Sequence, residues 1–311
     1  MNPAAFETIE QKQKAYNYYQ AHSFQEALNF LENAHKAKPD FTYFRGQSNG
    51  SWKLYSFLQR EWMQKDLNRF FENYEKMVLS LLEVAKKKLP TFLKRADVNL
   101  TDCGIFSVLQ HYGTPTPFVD WSADYKTALY FASCTEQEKI GKRCSPESPS
   151  TYISVYWLEV GNGPETPNND LTDIGMTLNE FYQNEAIDLN SNKKKFIIEQ
   201  FRNMTQWGYL PWFFSDKYFP LVDIQNPRQH AQNGGFFYSG NCNKSLDEIF
   251  DGKESTNNFP KIHCLDIEIS IVPEIQKYLK KENINNETLG LNSFDWGKLL
   301  FDYFLEHNKC L

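Results

Sequence analysis

Apolar side chains at three- and four-residue intervals, Phe70, Phe71, Tyr74, Met77, Val78, Leu81, Leu82 and Ala85, predict an amphipathic helix over 66–89, ended by Pro90. A shorter stripe of Ile105, Val108, Leu109 and Tyr112 predicts a helix closed by Gly113. Tyr125, Ala128, Leu129 and Ala132 predict another, with Ser122 or Asp124 as its N-cap. Further helices are expected over 193–206, from Pro273 onward, and through Trp296, Leu299, Leu300, Tyr303 and Phe304. Alternation predicts strands at 41–46, 117–122, 151–160, 219–224, 235–238 and 262–271, with loops at 136–150 and 161–170. In 117–122 the period of two sets Phe118, Asp120 and Ser122 on one face and Val119 and Trp121 on the other. In 262–271 it buries Leu265, Ile267, Ile269 and Ile271 together.

Helices and strands are mixed without a regular βαβ rhythm, so the expected class is α+β: mixed or antiparallel sheets with flanking helices. Residues 12–38 read as two helices broken at His22-Ser23 and stopped at Pro39, in the manner of one tetratricopeptide-type pair. A lone repeat of that kind leaves its apolar face uncovered. Residues 1–40 are therefore expected to brace a main domain spanning 41–311.

Composition sharpens this picture. The chain has 311 residues, 41% of them hydrophobic, with 25 Phe and 17 Tyr, which implies a large core built from stacking rings. A net charge of −6 argues against general affinity for nucleic acid or anionic membranes. The lysine runs at 86–88 and 193–195 lie in or beside amphipathic stretches and read as solvated faces. Six cysteines without a CxxC pair fit reduced thiols, and no stretch approaches the ~18 apolar residues of a membrane span. The N-terminus has no charged start followed by an apolar run, so a cytoplasmic location is expected.

Three segments place polar groups where strands meet turns. Arg45 ends a strand before Gly46 and Gln47; its guanidinium fork suits a phosphate or carboxylate, and the glycine would let a ligand approach the backbone. A structural ion pair is the competing reading for this arginine. Gln110 and His111 end a helix just before the strand that carries Asp120, and a positive His111 there would gain from the helix dipole. Arg228, Gln232 and Gly234 lead into an aromatic strand. Cys103 and His111 stand too far apart on their helix to form a thiol–imidazole pair. His111, Asp120, His230 and His263 lack paired metal-ligand spacing, so no metal is expected, and no P-loop, dinucleotide fingerprint or nucleophile elbow occurs.

These segments resemble the FRG domain family. The likeness rests on Phe44-Arg45-Gly46-Gln47-Ser48 followed by Trp52, Leu54 and Arg60; on Leu109 to Gly113, Pro115-Thr116 and Asp120-Trp121; on Ala128 to Ala132; and on Arg228, Gln232, Gly234 and Phe236. It runs from residue 41 to the C-terminus, with Pro117 standing where the family usually has arginine. More distantly, the order of Arg45, the 118–122 strand with its following helix, and the Gln232 segment is similar to ADP-ribosyltransferases. That second likeness implies a split sheet and NAD as substrate, with Arg45 on the pyrophosphate and the 118–122 strand lining the nicotinamide pocket. Arg45, Asp120 and Gln232 would then be the catalytic residues, and Tyr43, Gly46, Gln47, His111, Trp121, Ser122 and Arg228 would contact the nucleotide, Tyr43 or Trp121 by stacking. Gln232 replaces the late glutamate of such enzymes. Asp120 would have to supply the carboxylate that stabilises positive charge on the ribose. The alternative is a module that binds a nucleotide-type ligand without turning it over. The family analogy also implies a bacterial effector in conflict or phage defence.

Overall fold

A computed structural model describes residues 3–39, 42–91, 102–134, 148–159, 212–215, 227–250, 262–291 and 296–308. The expected helix at 193–206, the expected strand at 219–224 and most of the two expected loops lie outside these residues. The strands are β1 (Asn17–Ala21), β2 (Thr42–Gln47), β3 (Phe118–Ser122), β4 (Tyr152–Glu159), β5 (Trp212–Ser215), β6 (Gly234–Tyr238) and β7 (His263–Glu268). They form a mixed sheet in the order β1-β7-β4-β2-β3-β6-β5. Only β1 and β7 run parallel; every other neighbouring pair is antiparallel.

The helices are α1 (Ile9–Ala15), α2 (Phe24–Ala37), α3 (Phe57–Gln64), α4 (Tyr74–Lys88), α5 (Asp102–His111), α6 (Tyr125–Ser133), α7 (Pro227–Ala231), α8 (Leu246–Phe250), α9 (Val272–Lys281) and α10 (Gly297–Asn308). The α+β expectation holds. No helix among the described residues is long and apolar enough to cross a membrane.

Three buried clusters divide the sheet. Ala27 and Leu31 of α2, Ala128, Leu129 and Ala132 of α6, and Val272, Ile275 and Leu279 of α9 cover one face of β2, β4 and β7. Helices α3, α4, α5 and α10 bury Phe118, Phe236 and Tyr238 of β3 and β6. The third cluster joins both halves through Tyr43, Val119, Trp121, Tyr156 and Phe237. The expected two faces of β3 are thus observed, with Phe118 in one cluster and Val119 and Trp121 in another.

Two expectations about helices are corrected. Residues 17–21 are not helical: β1 lies along β7, where Tyr19 stacks on Trp157. A helical period and a short β-prone Tyr-Tyr segment compete here, and the open edge of β7 decides between them. The long helix begins at Tyr74 rather than near 66, because Asp66 takes a left-handed conformation (φ 52°) and Asn73 caps α4 by accepting from the Lys76 N–H at 2.8 Å. By contrast Asp124, one of two expected caps, does start α6, accepting from the Lys126 N–H at 3.0 Å.

Strand β7 is covered on both faces. Leu265 and Ile267 pack under α9, whereas Cys264 and Asp266 on the opposite face are also fully buried. Asp266 is held by Lys12 Nζ at 2.5 Å, by the Ser154 hydroxyl at 2.5 Å and by the Tyr18 hydroxyl at 2.9 Å. This ion pair attaches α1 to the sheet. Ile269 and Ile271, expected to continue the strand, lie instead in a 3-10 turn leading into α9.

Asp247 of α8 is 3% exposed and accepts from the Leu54 N–H at 2.8 Å. Burial pushes its carboxyl up to about 6, against the pull of that N–H and of Lys53. The folded chain therefore keeps a proton that the unfolded chain releases near the ordinary aspartate value of about 3.9. The stability this proton confers is complete below about pH 4 and is lost as pH rises through about 6. Asp247→Asn, which keeps an oxygen for the Leu54 N–H, is expected to flatten the urea midpoint over that window. An unchanged slope would refute the assignment.

Candidate functional site

Strands β2 and β3 share a single register pair, Phe44 with Ser122, although each is fully laddered to its other neighbour. The sheet is nearly divided at this seam. Arg45 sits beside it, and its Nη1 donates to the Asp120 carbonyl oxygen at 2.7 Å. The side chains of Arg45 and Asp120 make no ion pair among the described residues; the arginine is tied to the backbone of β3 and not to the carboxylate. That outcome replaces the expected alternative of a structural Arg45–Asp120 ion pair.

The seam opens into a cavity of about 880 Å³, within the ~300–1,000 Å³ range of small-molecule sites. Arg45, Gly46, Gln47, His111, Asp120, Trp121, Ser122, Arg228 and Gln232 all line it, so residues from four distant segments converge. Tyr43 does not. It is 3% exposed and packed in the third core cluster with Trp121 and Tyr156, two positions back along β2 from Arg45. Tyr43 and Arg45 stand two apart on β2, and the difference between them is depth: the cavity takes in Phe44 to Gln47 of the strand but not Tyr43.

The lining carries a set of polar atoms with no hydrogen-bond partner among the described residues: Arg45 Nε, Gln47 Oε1, His111 Nε2, Asp120 Oδ1 and Trp121 Nε1. Gln47 is 5% exposed and Trp121 2%. A buried donor or acceptor left unsatisfied costs about 1–3 kcal/mol, so a convergence of this kind on one cavity is costly to the fold unless something fills it. The other carboxylate oxygen of Asp120 accepts from Gln110 Nε2 at 2.7 Å, and the Thr116 hydroxyl donates to Gln110 Oε1. The relay fixes one carboxylate oxygen, and the other, Oδ1, is buried without a hydrogen-bond partner among the described residues. Burial raises the Asp120 pKa, against Arg45, Gln110 and Arg60, which pull it back.

His111 is neutral, so the helix-dipole stabilisation open to a positive side chain at this helix end does not arise. Burial first, and then the charge of Arg228, push its pKa down to about 3. The ring meets Phe236 edge-on at 5.6 Å, so the desolvation outweighs the helix dipole. Gly46 also serves a purpose different from the expected one. A Cβ there would lie 1.9 Å from the Ala128 carbonyl oxygen and 2.6 Å from the Ala132 nitrogen. The glycine lets α6 lie directly on β2.

Gln232 reaches the cavity but is committed elsewhere. Its Nε2 donates to the Leu289 carbonyl at 3.0 Å, and its own carbonyl accepts from the Ser122 hydroxyl at 2.6 Å. These bonds tie the turn after α7 to β3 and to the 282–291 segment. Arg228 lies over the Tyr112 ring at 4.8 Å.

Several lining residues are absent from the sequence-derived site. Arg60 on α3 donates to the Tyr55 carbonyl at 3.0 Å and stacks over Phe57 at 5.5 Å. Trp52 and Phe131 are among the few large hydrophobic side chains left exposed, at 46% and 37%, and both border the cavity. Pro3, Ala4 and Ala5 supply part of the wall, held by an Ala5–Trp52 bridge and by the Phe6 N–H donating to the Ser51 carbonyl at 2.8 Å. Arg60 and Trp52 do occur in the FRG-like pattern, but their direction depends on α3 and its Ser56–Gln59 capping box. The wall at residues 3–5 carries no polar signal at all.

Comparison with curated proteins and with solved structures gave no match. Residues 40–140 match the family model of the FRG domain, a narrower span than the resemblance first drawn to the C-terminus, yet one that contains Arg45, Arg60, Gln110, His111 and Asp120. Residues 40–140 thus match the FRG domain family, and segments on both sides of that stretch complete the cavity.

Proposed function

We propose that the cavity binds a nucleotide-type small molecule, with NAD as the first ligand to test. The observation that carries this reading is the convergence of five unsatisfied polar atoms, both donors and acceptors, on one cavity of nucleotide size. Arginine forks and ring N–H donors suit phosphate and carbonyl oxygens, and acceptors such as Gln47 Oε1 suit amide or hydroxyl donors. Exposed aromatic faces at Trp52 and Phe131 offer stacking surfaces for a base. They take over the role that Tyr43, buried in the core, cannot fill.

A transferase reading has one specific observation in its favour. Asp120 is the only acidic side chain among the described lining residues, and its Oδ1 has no hydrogen-bond partner among the described residues. In cleavage of the nicotinamide–ribose bond, the bond's electron pair leaves with nicotinamide and positive charge grows on the ribose. A carboxylate held in that position would stabilise it. Gln232 would then act as a positioning residue, since its amide is spent on Leu289. A role in conflict or defence belongs to this reading and depends on it.

The test combines thermal shift with NAD and a nicotinamide-release assay on wild type, Arg45→Ala and Asp120→Asn, each first checked for wild-type circular dichroism. Turnover predicts release in wild type and at least a hundredfold loss in Asp120→Asn. Binding without release would assign a sensing module. Absence of any thermal shift with NAD would remove NAD as the ligand.

A further inference from the structure

The charge of the cavity says more about the ligand than the unsatisfied atoms do. Arg45, Lys53, Arg60 and Arg228 line it together with one acidic residue, Asp120, in a chain of net charge −6. Lys53 is offset by Glu248 at 2.7 Å. Arg45 and Arg60 have no comparable ion-pair partner among the described residues: each donates one guanidinium hydrogen bond to a neutral carbonyl, of Asp120 and of Tyr55 respectively. Both guanidinium groups line the same cavity, and burial lowers the Arg60 pKa to about 10, with the charge of Arg45 adding to that and Asp120 and Glu61 opposing it. Two repelling guanidinium groups in a partly desolvated cavity cost free energy in the absence of an anion and repay it when one binds.

Resting on the nucleotide reading, we infer that Arg45 and Arg60 form an arginine pair that holds a phosphoryl or diphosphoryl group carrying at least two negative charges. Arg60 is the specificity-determining member. Its guanidinium is fixed on one side by the Tyr55 carbonyl and on one face by Phe57, so it meets a ligand already ordered. An uncharged ligand would leave the surplus positive charge of the two guanidinium groups over Asp120 uncompensated.

Isothermal titration of the full chain with inorganic pyrophosphate, ADP and adenosine at constant ionic strength tests this. Wild type is expected to bind pyrophosphate and ADP, and to bind both more tightly than adenosine. Arg60→Gln is expected to weaken pyrophosphate and ADP at least tenfold and to leave adenosine unchanged. Arg60→Lys, which keeps the charge but loses the fork, is expected to fall between the two and covers the case in which Arg60→Gln does not fold. Equal pyrophosphate and ADP affinity in wild type and in a folded Arg60 variant would overturn the pair. Adenosine binding without pyrophosphate or ADP preference would overturn it while leaving a nucleoside-type site. Pyrophosphate binding without any nucleotide would uphold the pair and remove the nucleotide reading, and silence from all three ligands would remove both.

Discussion

Lys12→Met is expected to lower stability by about 3–5 kcal/mol, read as a large fall in the urea midpoint of unfolding. Lys12 and Asp266 are both fully buried, 2.5 Å apart. Taking either ion out of water costs several kcal/mol, and the pair tolerates this only because each compensates the other. Removing Lys12 leaves the Asp266 carboxylate in the core with the hydroxyls of Ser154 and Tyr18 and the Cys264 thiol as its remaining donors among the described residues. The double variant Lys12→Met/Asp266→Leu is expected to recover part of the loss, because no charge is then stranded. Recovery stays partial since the Ser154 and Tyr18 hydroxyls lose their acceptor. A single variant that unfolds within 1 kcal/mol of wild type would show that water reaches this site. The effect on ligand binding is expected to be small in whatever fraction remains folded, because Lys12 does not line the cavity.

Gly46→Ala is expected to be the most damaging one-carbon change in the FRG segment. The new methyl group would fall within bonding distance of the α6 backbone, 1.9 Å from the Ala128 oxygen, where no side-chain rotamer can yield. Helix α6 or strand β2 must move. Overpacking of this kind costs about 1–3 kcal/mol where neighbours can adjust, and a backbone obstacle places Gly46→Ala at or above the upper end. The expected result is a loss of melting temperature of several degrees without any ligand present. If the variant melts as wild type does but loses ligand binding, the glycine serves ligand approach after all, and the packing account fails. The same shift of β2 would carry Arg45 away from the Asp120 carbonyl, so stability and binding are expected to fall together.

Periodicity was a sound guide wherever one face of an element is buried and the other is not. The helix at Asp102–His111, the strands at 118–122 and 234–238, and the cap at Asp124 follow directly from local spacing and side-chain chemistry. It failed at Asn17–Ala21, where two adjacent tyrosines fit either structure locally and the free edge of β7 makes the choice. It was incomplete at β7, where the clean alternation conceals a buried aspartate whose partner lies 254 residues away. Among the site residues, the chain positions of Arg45, His111, Asp120 and Arg228 were legible because charged or titratable side chains at strand and helix ends stand out. Arg60, Trp52 and the wall at residues 3–5 were not, since an arginine on a helix and an aromatic in a turn acquire direction only from what packs beneath them.

The sequence by itself determined the α+β class, most of the described elements and the segments from which a site could be made, because those depend on side-chain period, capping and turn chemistry within a few residues. Tertiary structure alone decided the rest. The near-split between β2 and β3, the neutrality of His111, the structural commitment of Gln232 and the convergence of Arg45 and Arg60 on one cavity all arise from burial and from contacts between distant segments. Charge state, orientation and exposure are set by the surroundings of a side chain, and those surroundings exist only once the chain has folded.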